Sequence, residues 1–372
     1  MHIGDLATPC ALVDLDKLEQ NARHVADKAR RLGVRLRPHV KTHKCIEAAR
    51  IQTDLHFGGV TVSTLAEAQA FAAGGFSNIT YAVPIAPQKI FEAMDLHDEI
   101  DALNLLIDHP DTIRAIDEAA TSRGTNLPVY LEIDCGDGRS GVDPEGESTQ
   151  ILAKRLADAD AIDFRGLLTH AGHAYRARTR SEAYEVACEE RNLMTALAAE
   201  LRDLGIPVPE VSVGATPTVR AIDDLTDITE VRPGNYLFYD AFQTAIRTCQ
   251  IDEIAFSVLA TVISVDPDRG RAVVDAGALA LSKDAGPTHV DPECGFGLLV
   301  AVEDQHPLPG LRILSLTQEH GILTGPGVEA LRPGTRLRIF PNHSCLSAAC
   351  FDSYQVLRGT EVVDEWHPVR GW

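Results

Sequence analysis

From residue 11 to about 245, short β-rich apolar runs alternate with helix-forming stretches. The candidate strands are VRLRPHV (34–40), GVTVS (59–63), NITYAV (78–83), ALNLLID (102–108), PVYLEID (128–134), FRGLLTH (164–170), EVSVGA (210–215) and ITEVRPGNYLF (228–238). Between them lie stretches such as LAEAQAFAAGG (65–75) and EAYEVACEERNLMTALAAELRDLG (182–205), each closed by a glycine suited to end a helix. Such alternation demands a parallel sheet, because each strand must cross over a helix to reach its neighbour. Eight units in roughly 250 residues is the size of a closed (β/α)8 barrel. An open doubly wound sheet is the competing topology, and no G-x-G-x-x-G follows the first strand to support it.

After about residue 248 the pattern changes. FSVLATVISVDPDRGRAVVDAG (256–277) reads as strand, turn and strand, with DPDRG as the turn. LRILSLTQEHGILTG and TRLRIFPNHSC continue in period two, and long amphipathic helices are absent. The expected division is a barrel over 11–247 and a smaller β domain over 248–372, joined in space by residues 1–10.

With 372 residues, 45% of them hydrophobic, the chain can bury a core without disulfides or a structural metal. Its net charge of −20 argues against a nucleic-acid or anionic-membrane surface. A small anionic ligand stays possible, because Arg30, Arg31, Arg35, Arg37, Lys41 and Lys44 form a locally basic region. The eight cysteines are scattered with no C-x-x-C pair. MHIGDLATPC has no charged-then-apolar leader, and no run of about 18 apolar residues occurs. The expectation is a cytoplasmic protein with free thiols.

Barrel chemistry sits at the C-terminal ends of the strands. In RLRPHVKTHK (35–44) the first strand delivers His39 and Lys41. A lone lysine is ordinarily a solvated surface group. At a strand end in a closing barrel it would point into the mouth, and desolvation would make its amine nucleophilic. Alternation puts Lys41 and His39 on one face, with His43 if the strand continues. Lys44 falls on the opposite face or opens a helix. Later strands deliver Ser63 and Thr64, then Asp134 with Arg139, then His170 with His173 and Tyr175. The turns GATPT, with Gly214, Thr216 and Thr218, and RPGNY, with Gly234, Asn235 and Tyr236, are rich in N–H groups. They read either as ordinary βα turns or as an anion cradle of the kind barrels build after strands seven and eight. Arg139 either pairs with Asp137 or Asp143, or faces a ring nitrogen or carboxylate across the mouth. In PNHSC, His343 and Cys345 are two apart, so in a strand both face one way. Imidazole and thiolate suit Zn²⁺, although two ligands are fewer than usual.

TPCALVDLDKLEQN, LRPHVKTHK, VSTLAEA, YAVPI, EIDCGDGRSGV, HAGHAY, VGATPT, VRPGNYLFYD and PNHSC, in that order, resemble one family over nearly the whole chain. It is the metal-activated D-serine dehydratase and D-threonine aldolase group of fold-type III pyridoxal phosphate (PLP) enzymes. The resemblance implies an alanine-racemase-like barrel plus a β domain, in a head-to-tail homodimer. It also implies that Lys41 bonds PLP covalently and that Arg139 faces the pyridine nitrogen. Tyr175 would lie near cofactor and substrate, with His39 and His170 beside the cofactor. Thr216, Gly234 and Asn235, with Tyr236 adjoining, would hold the phosphate. His343 and Cys345 would bind the metal, Zn²⁺ in the dehydratase branch. The aldolases typically carry Asp at the second position, with Mn²⁺ or a similar harder ion such as Mg²⁺. Cys345 therefore points to D-serine dehydration. Retro-aldol cleavage of D-threonine or another 3-hydroxy-D-amino acid uses the same residues. A racemase would leave the H-x-C pair unexplained, and a non-catalytic PLP-carrier protein would leave the β domain unexplained.

Overall fold

The computed structural model describes all residues, Met1–Trp372. Contacts divide the chain into two compact units. One comprises His24–Gly234 with Val369–Trp372, the other Met1–Arg23 with Asn235–Pro368. The sequence suggested boundaries at 10/11 and 247/248. The difference arises because the first strand, β1 (Cys10–Asp14), pairs with strands of the β-rich unit, and the division falls inside the helix Leu15–Arg31 that follows.

The barrel unit holds β2 (Arg35–Leu36), β3 (Val60–Val62), β4 (Asn78–Pro84), β5 (Ala102–Ile107), β6 (Leu127–Ile133), β7 (Ile162–Thr169), β8 (Glu210–Val213) and β9 (Glu230–Val231). They form one parallel eight-stranded sheet in the order β2-β9-β8-β7-β6-β5-β4-β3. The Thr61 N–H donates to the Pro38 carbonyl at 2.9 Å, and a single parallel bridge joins His39 to Thr61, so the two edge strands meet. β5 and β6 are almost wholly buried, as a parallel sheet covered by helices requires.

Polar residues cluster around Glu210 and Glu230, the first residues of β8 and β9. Arg37 donates to Glu230 at 2.8 Å, Tyr130 to Glu210 at 2.6 Å, and Ser212 to Glu230 at 2.8 Å. Arg35 and Arg165 also pair with Glu210. Much of the basic region seen in sequence is thus committed to internal carboxylates.

β2 and β9 are two residues each, far shorter than 34–40 and 228–238. Pro38 and Pro233 explain this: each lacks an N–H to extend a ladder, and each biases the residue before it.

In the other unit, β1 pairs antiparallel with β10 (Phe256–Asp266) and parallel with β16 (Tyr354–Arg358). The remaining strands are β11 (Arg271–Val274), β12 (Leu298–Val300), β13 (Arg312–Leu316), β14 (Gly321–Thr324), β15 (Arg336–Phe340) and β17 (Glu361–Trp366). All nine form one sheet. The turn in DPDRG joins β10 to β11 antiparallel, as the sequence suggested. Ile3 and Leu6 bury against Leu12, Leu259 and Leu357. Phe238 stacks on Phe256 at 5.2 Å, and Tyr354 meets Phe256 edge-on at 5.9 Å. No helix in the chain is long and apolar enough to cross a membrane.

Candidate active site

Beyond β2 the backbone is held as a turn. His39 N–H donates to the Pro233 carbonyl at 3.0 Å. Residues Val40–Thr42 then form a single 3-10 turn capped by His39, whose Nδ1 accepts the Lys41 N–H at 3.4 Å. The strand does not continue, so the alternation expected for His43 fails. His43 is fully buried, bonded to Gln52 at 2.8 Å and accepting the Cys45 N–H at 3.0 Å. It packs and orients the turn. Lys44 takes φ +55° and pairs with the buried Glu67 at 2.7 Å.

Lys41 lines a cavity of about 370 Å³ together with His39, Glu132, Arg139, His170 and Arg232. Burial, reinforced by the Lys41 charge, holds both imidazoles well below their ordinary pKa. His170 also feels Arg139 and Arg232. Arg232 is buried, and its guanidinium donates to Ser212 at 2.6 Å and to the Thr169 carbonyl at 2.5 Å. Arg139 is more exposed, at 53%, with its guanidinium 3.9 Å from Glu132. The sequence offered Asp137 or Asp143 as its partner, and the observed partner is Glu132. Asp134 is occupied instead with the loop it begins, accepting from Gly136 at 2.9 Å and Gly138 at 3.0 Å.

Glu132 is 3% exposed, its carboxyl pushed up chiefly by burial, and its Oε2 has no hydrogen-bond partner. Sequence reasoning missed both Glu132 and Arg232. Signals were present: Glu132 is the one acid inside LPVYLEI, and Arg232 directly follows β9.

Tyr175 lies half-buried on the turn Gly172–Arg176 after β7, outside the cavity lining. On the same turn, His173 has a buried Nδ1 without a partner. Thr216 is buried at the start of the short helix Thr216–Ala221, where Thr218 accepts the Ala215 N–H at 3.0 Å. A Cβ on Gly234 would lie 2.8 Å from the His39 carbonyl oxygen, so only glycine fits there without a shift. Thr216 and Gly234 thus follow the adjacent strands β8 and β9. Asn235 turns elsewhere: its amide donates to Asp240 at 2.7 Å and Ser344 at 3.0 Å, and reaches Cys345 Sγ at 3.8 Å. Tyr236 is fully buried.

PNHSC is not a strand. β15 ends at Phe340, and His343 caps the helix Ser344–Ala348. The pair still converges, and the Cys345 side chain hydrogen-bonds the imidazole. His343 Nδ1 lies 3.2 Å from Asp284 Oδ2, which leaves Nε2 as the other ring donor position. Burial opposes charge on His343, but the Cys345 thiolate and Asp284 outweigh it and push it up to about 11. Asp284 in turn is held low by His343. Asp240, fully buried, accepts from the Ser344 N–H at 3.0 Å and braces the segment. No group of three or more His, Cys, Asp or Glu side chains is arranged to hold a metal. The donor set is one imidazole and one thiol. Asp284 carried no signal in sequence, being 59 residues from His343.

A family model for the N-terminal domain of alanine racemase matches residues 13–241, and one for the serine dehydratase domain matches 255–357. The chain is 37% identical to D-threo-3-hydroxyaspartate dehydratase of Delftia sp. (strain HT23), covering 99% of this chain and 98% of that one. The solved structure of that dehydratase superposes with a TM-score of 0.95 over 100% of both chains at 37% identity. A cysteine-to-alanine variant of it, described as the metal-free form, gives 0.95 at 36%, again over 100% of both. D-serine dehydratase of Dictyostelium discoideum is 34% identical over 100% of this chain and 98% of its own. D-threonine aldolase from Filomicrobium marinum superposes with a TM-score of 0.86 at 29% identity, covering 98% of this chain and 96% of that one.

Proposed function

The chain belongs to the D-serine dehydratase and D-threonine aldolase family of alanine-racemase-like PLP enzymes, and on that premise we propose that it dehydrates a β-hydroxy-D-amino acid, with D-serine as substrate. One observation carries the reading: an amine, Lys41, shares a cavity with two uncharged imidazoles and two guanidinium groups.

The residues fit PLP. Glu132 Oε2 is buried in the cavity and lacks a donor, and Gly234 packs directly on His39, which lines that cavity. Lys41 would bond the cofactor's aldehyde carbon. His39 and His170, kept neutral, would flank the ring, with Arg139 and Arg232 facing its polar edge. Thr216 and Gly234 follow the two strands after which barrels hold phosphate, and Asn235 and Tyr236 continue the second turn. When bound, PLP supplies an electron sink for charge developing at the substrate Cα. Once the substrate amine has replaced it on the cofactor, the freed Lys41 amine would take the Cα proton, and Tyr175, on the turn after β7 and outside the cavity lining, would be the second catalytic side chain.

His343 Nε2 and Cys345 Sγ fit Zn²⁺, with Asp284 fixing the imidazole through Nδ1 as partners of metal-bound histidines do. The thiol favours zinc over the harder Mn²⁺ or Mg²⁺. Zinc would supply Lewis acidity to the departing β-hydroxyl. Loss of that hydroxyl with the Cα proton removes water, and hydrolysis of the released enamine gives pyruvate and ammonia. All eight cysteines are free, which supports a reducing, cytoplasmic setting.

The test is product analysis with D-serine, D-threonine and 3-hydroxy-D-aspartate offered separately, with PLP, before and after chelation. Pyruvate and ammonia from D-serine, lost on chelation and restored by Zn²⁺, is the expected result. Glycine with an aldehyde would make the chain an aldolase. Ammonia from 3-hydroxy-D-aspartate alone would replace D-serine by a dicarboxylic substrate.

A further inference from the structure

Glu190 sits on the buried face of the helix Arg180–Asp203, whose other buried residues are Ala183, Ala187, Met194, Leu197, Ala198 and Leu201. An acid in such company is costly unless its oxygens are satisfied. They are satisfied by the backbone around the cavity. Glu190 Oε1 accepts the Gly214 N–H at 2.9 Å. Its carboxylate also takes the Ala171 N–H and the Thr218 hydroxyl. Ala171 is the residue after His170, and the His170 ring itself bonds the backbone of Gly214. Both residues whose backbone bounds the place of His170, Ala171 and Gly214, therefore donate an N–H to one carboxylate.

We propose that Glu190 is a positioning residue for the cofactor cavity, fixing His170 by gripping Ala171 and Gly214 together. This rests on the functional reading above, in which His170 flanks PLP. Gly214 needs the grip. Its φ of +111° is open to glycine almost alone, and a Cβ there would meet Val219 at 2.9 Å. Without an acceptor its N–H would be buried unpaired. The charged or titratable groups facing Glu190 are Arg232, which favours its ionised form, and the Cys135 thiol. Burial dominates and pushes the carboxyl up to about 7.

Glutamine separates grip from bulk. Glu190→Gln keeps one acceptor but turns an amide donor towards the second N–H. The experiment uses the full chain as wild type, Glu190→Gln, His170→Phe and the double variant. PLP is stripped, and two quantities are read: the dissociation constant for PLP from its visible absorbance, and Tm without cofactor. Glu190→Gln is expected to weaken PLP binding about tenfold with little change in cofactor-free Tm. The double variant should bind no more weakly than His170→Phe alone, because the effect travels through His170. Wild-type affinity in Glu190→Gln overturns the proposal, and so do losses that multiply in the double variant. A fall in cofactor-free Tm with unchanged affinity would assign Glu190 to packing and also overturns it. Wild type that takes up no PLP overturns the functional reading itself, a result distinct from these.

Discussion

His39 and His170 are uncharged because burial and the neighbouring cations leave no room for another positive charge. The same burial governs His43, which has no cationic neighbour among its causes and is lowered to about 4 by desolvation, against its bonds to Gln52 and Cys45. A histidine held below its ordinary pKa stabilises the fold above pH 6.5. That stability is lost as pH falls, because the unfolded chain takes the proton that the native site refuses. For His43 the loss runs from about pH 6.5 to about pH 4 and amounts to about 3 kcal/mol. His43→Asn should therefore show a flatter fall in urea midpoint over that range than wild type. Parallel curves would mean that His43 does not titrate with folding. Lys41, His39, Arg139 and His170 could be read from sequence because strand ends in a barrel face one mouth. His43 could not be assigned this way, since its direction depends on a 3-10 turn that alternation does not foresee.

Elements position the site by ending early. β2 and β9 last two residues each, then Pro38 and Pro233 release the backbone into turns that press on each other at His39 and Gly234. A methyl group at 234 would sit 2.8 Å from a carbonyl oxygen and 2.9 Å from His39 Cβ, neither at the end of a flexible side chain. Gly234→Ala should cost about 1–3 kcal/mol by overpacking, lower Tm by roughly 5 °C, and weaken PLP binding through the displaced His39. Unchanged Tm and affinity would show that the two turns can part freely. The strand-helix alternation and the DPDRG hairpin were legible because each is repeated or local chemistry. PNHSC was misread as a strand because a helix of five residues has too few turns to show a 3.6-residue period. Asp284 and Asp240 reach that segment only through tertiary packing, which no local pattern records.

At the scale of the whole chain, the net charge of −20 coexists with a cavity where Lys41, Arg139 and Arg232 outnumber Glu132. Cation excess is thus local, and it lies where an anionic cofactor would be held. The amine and the proposed metal donors belong to different compact units, Lys41 to His24–Gly234 and His343 with Cys345 to Asn235–Pro368. Each unit has its own sheet and its own buried core. Losses at the two sites should therefore separate. Lys41→Ala should abolish the visible absorbance of bound PLP and all turnover, while the protein still retains zinc by elemental analysis. His343→Ala should lose zinc and at least about a hundredfold in turnover, while the visible band persists. The Cys345→Ala variant should behave in the same way. If Lys41→Ala keeps a normal visible band, Lys41 is not the cofactor's lysine. If His343→Ala loses the band along with the metal, cofactor binding depends on the metal donors, and the two units do not divide the work in the way their separate cores suggest.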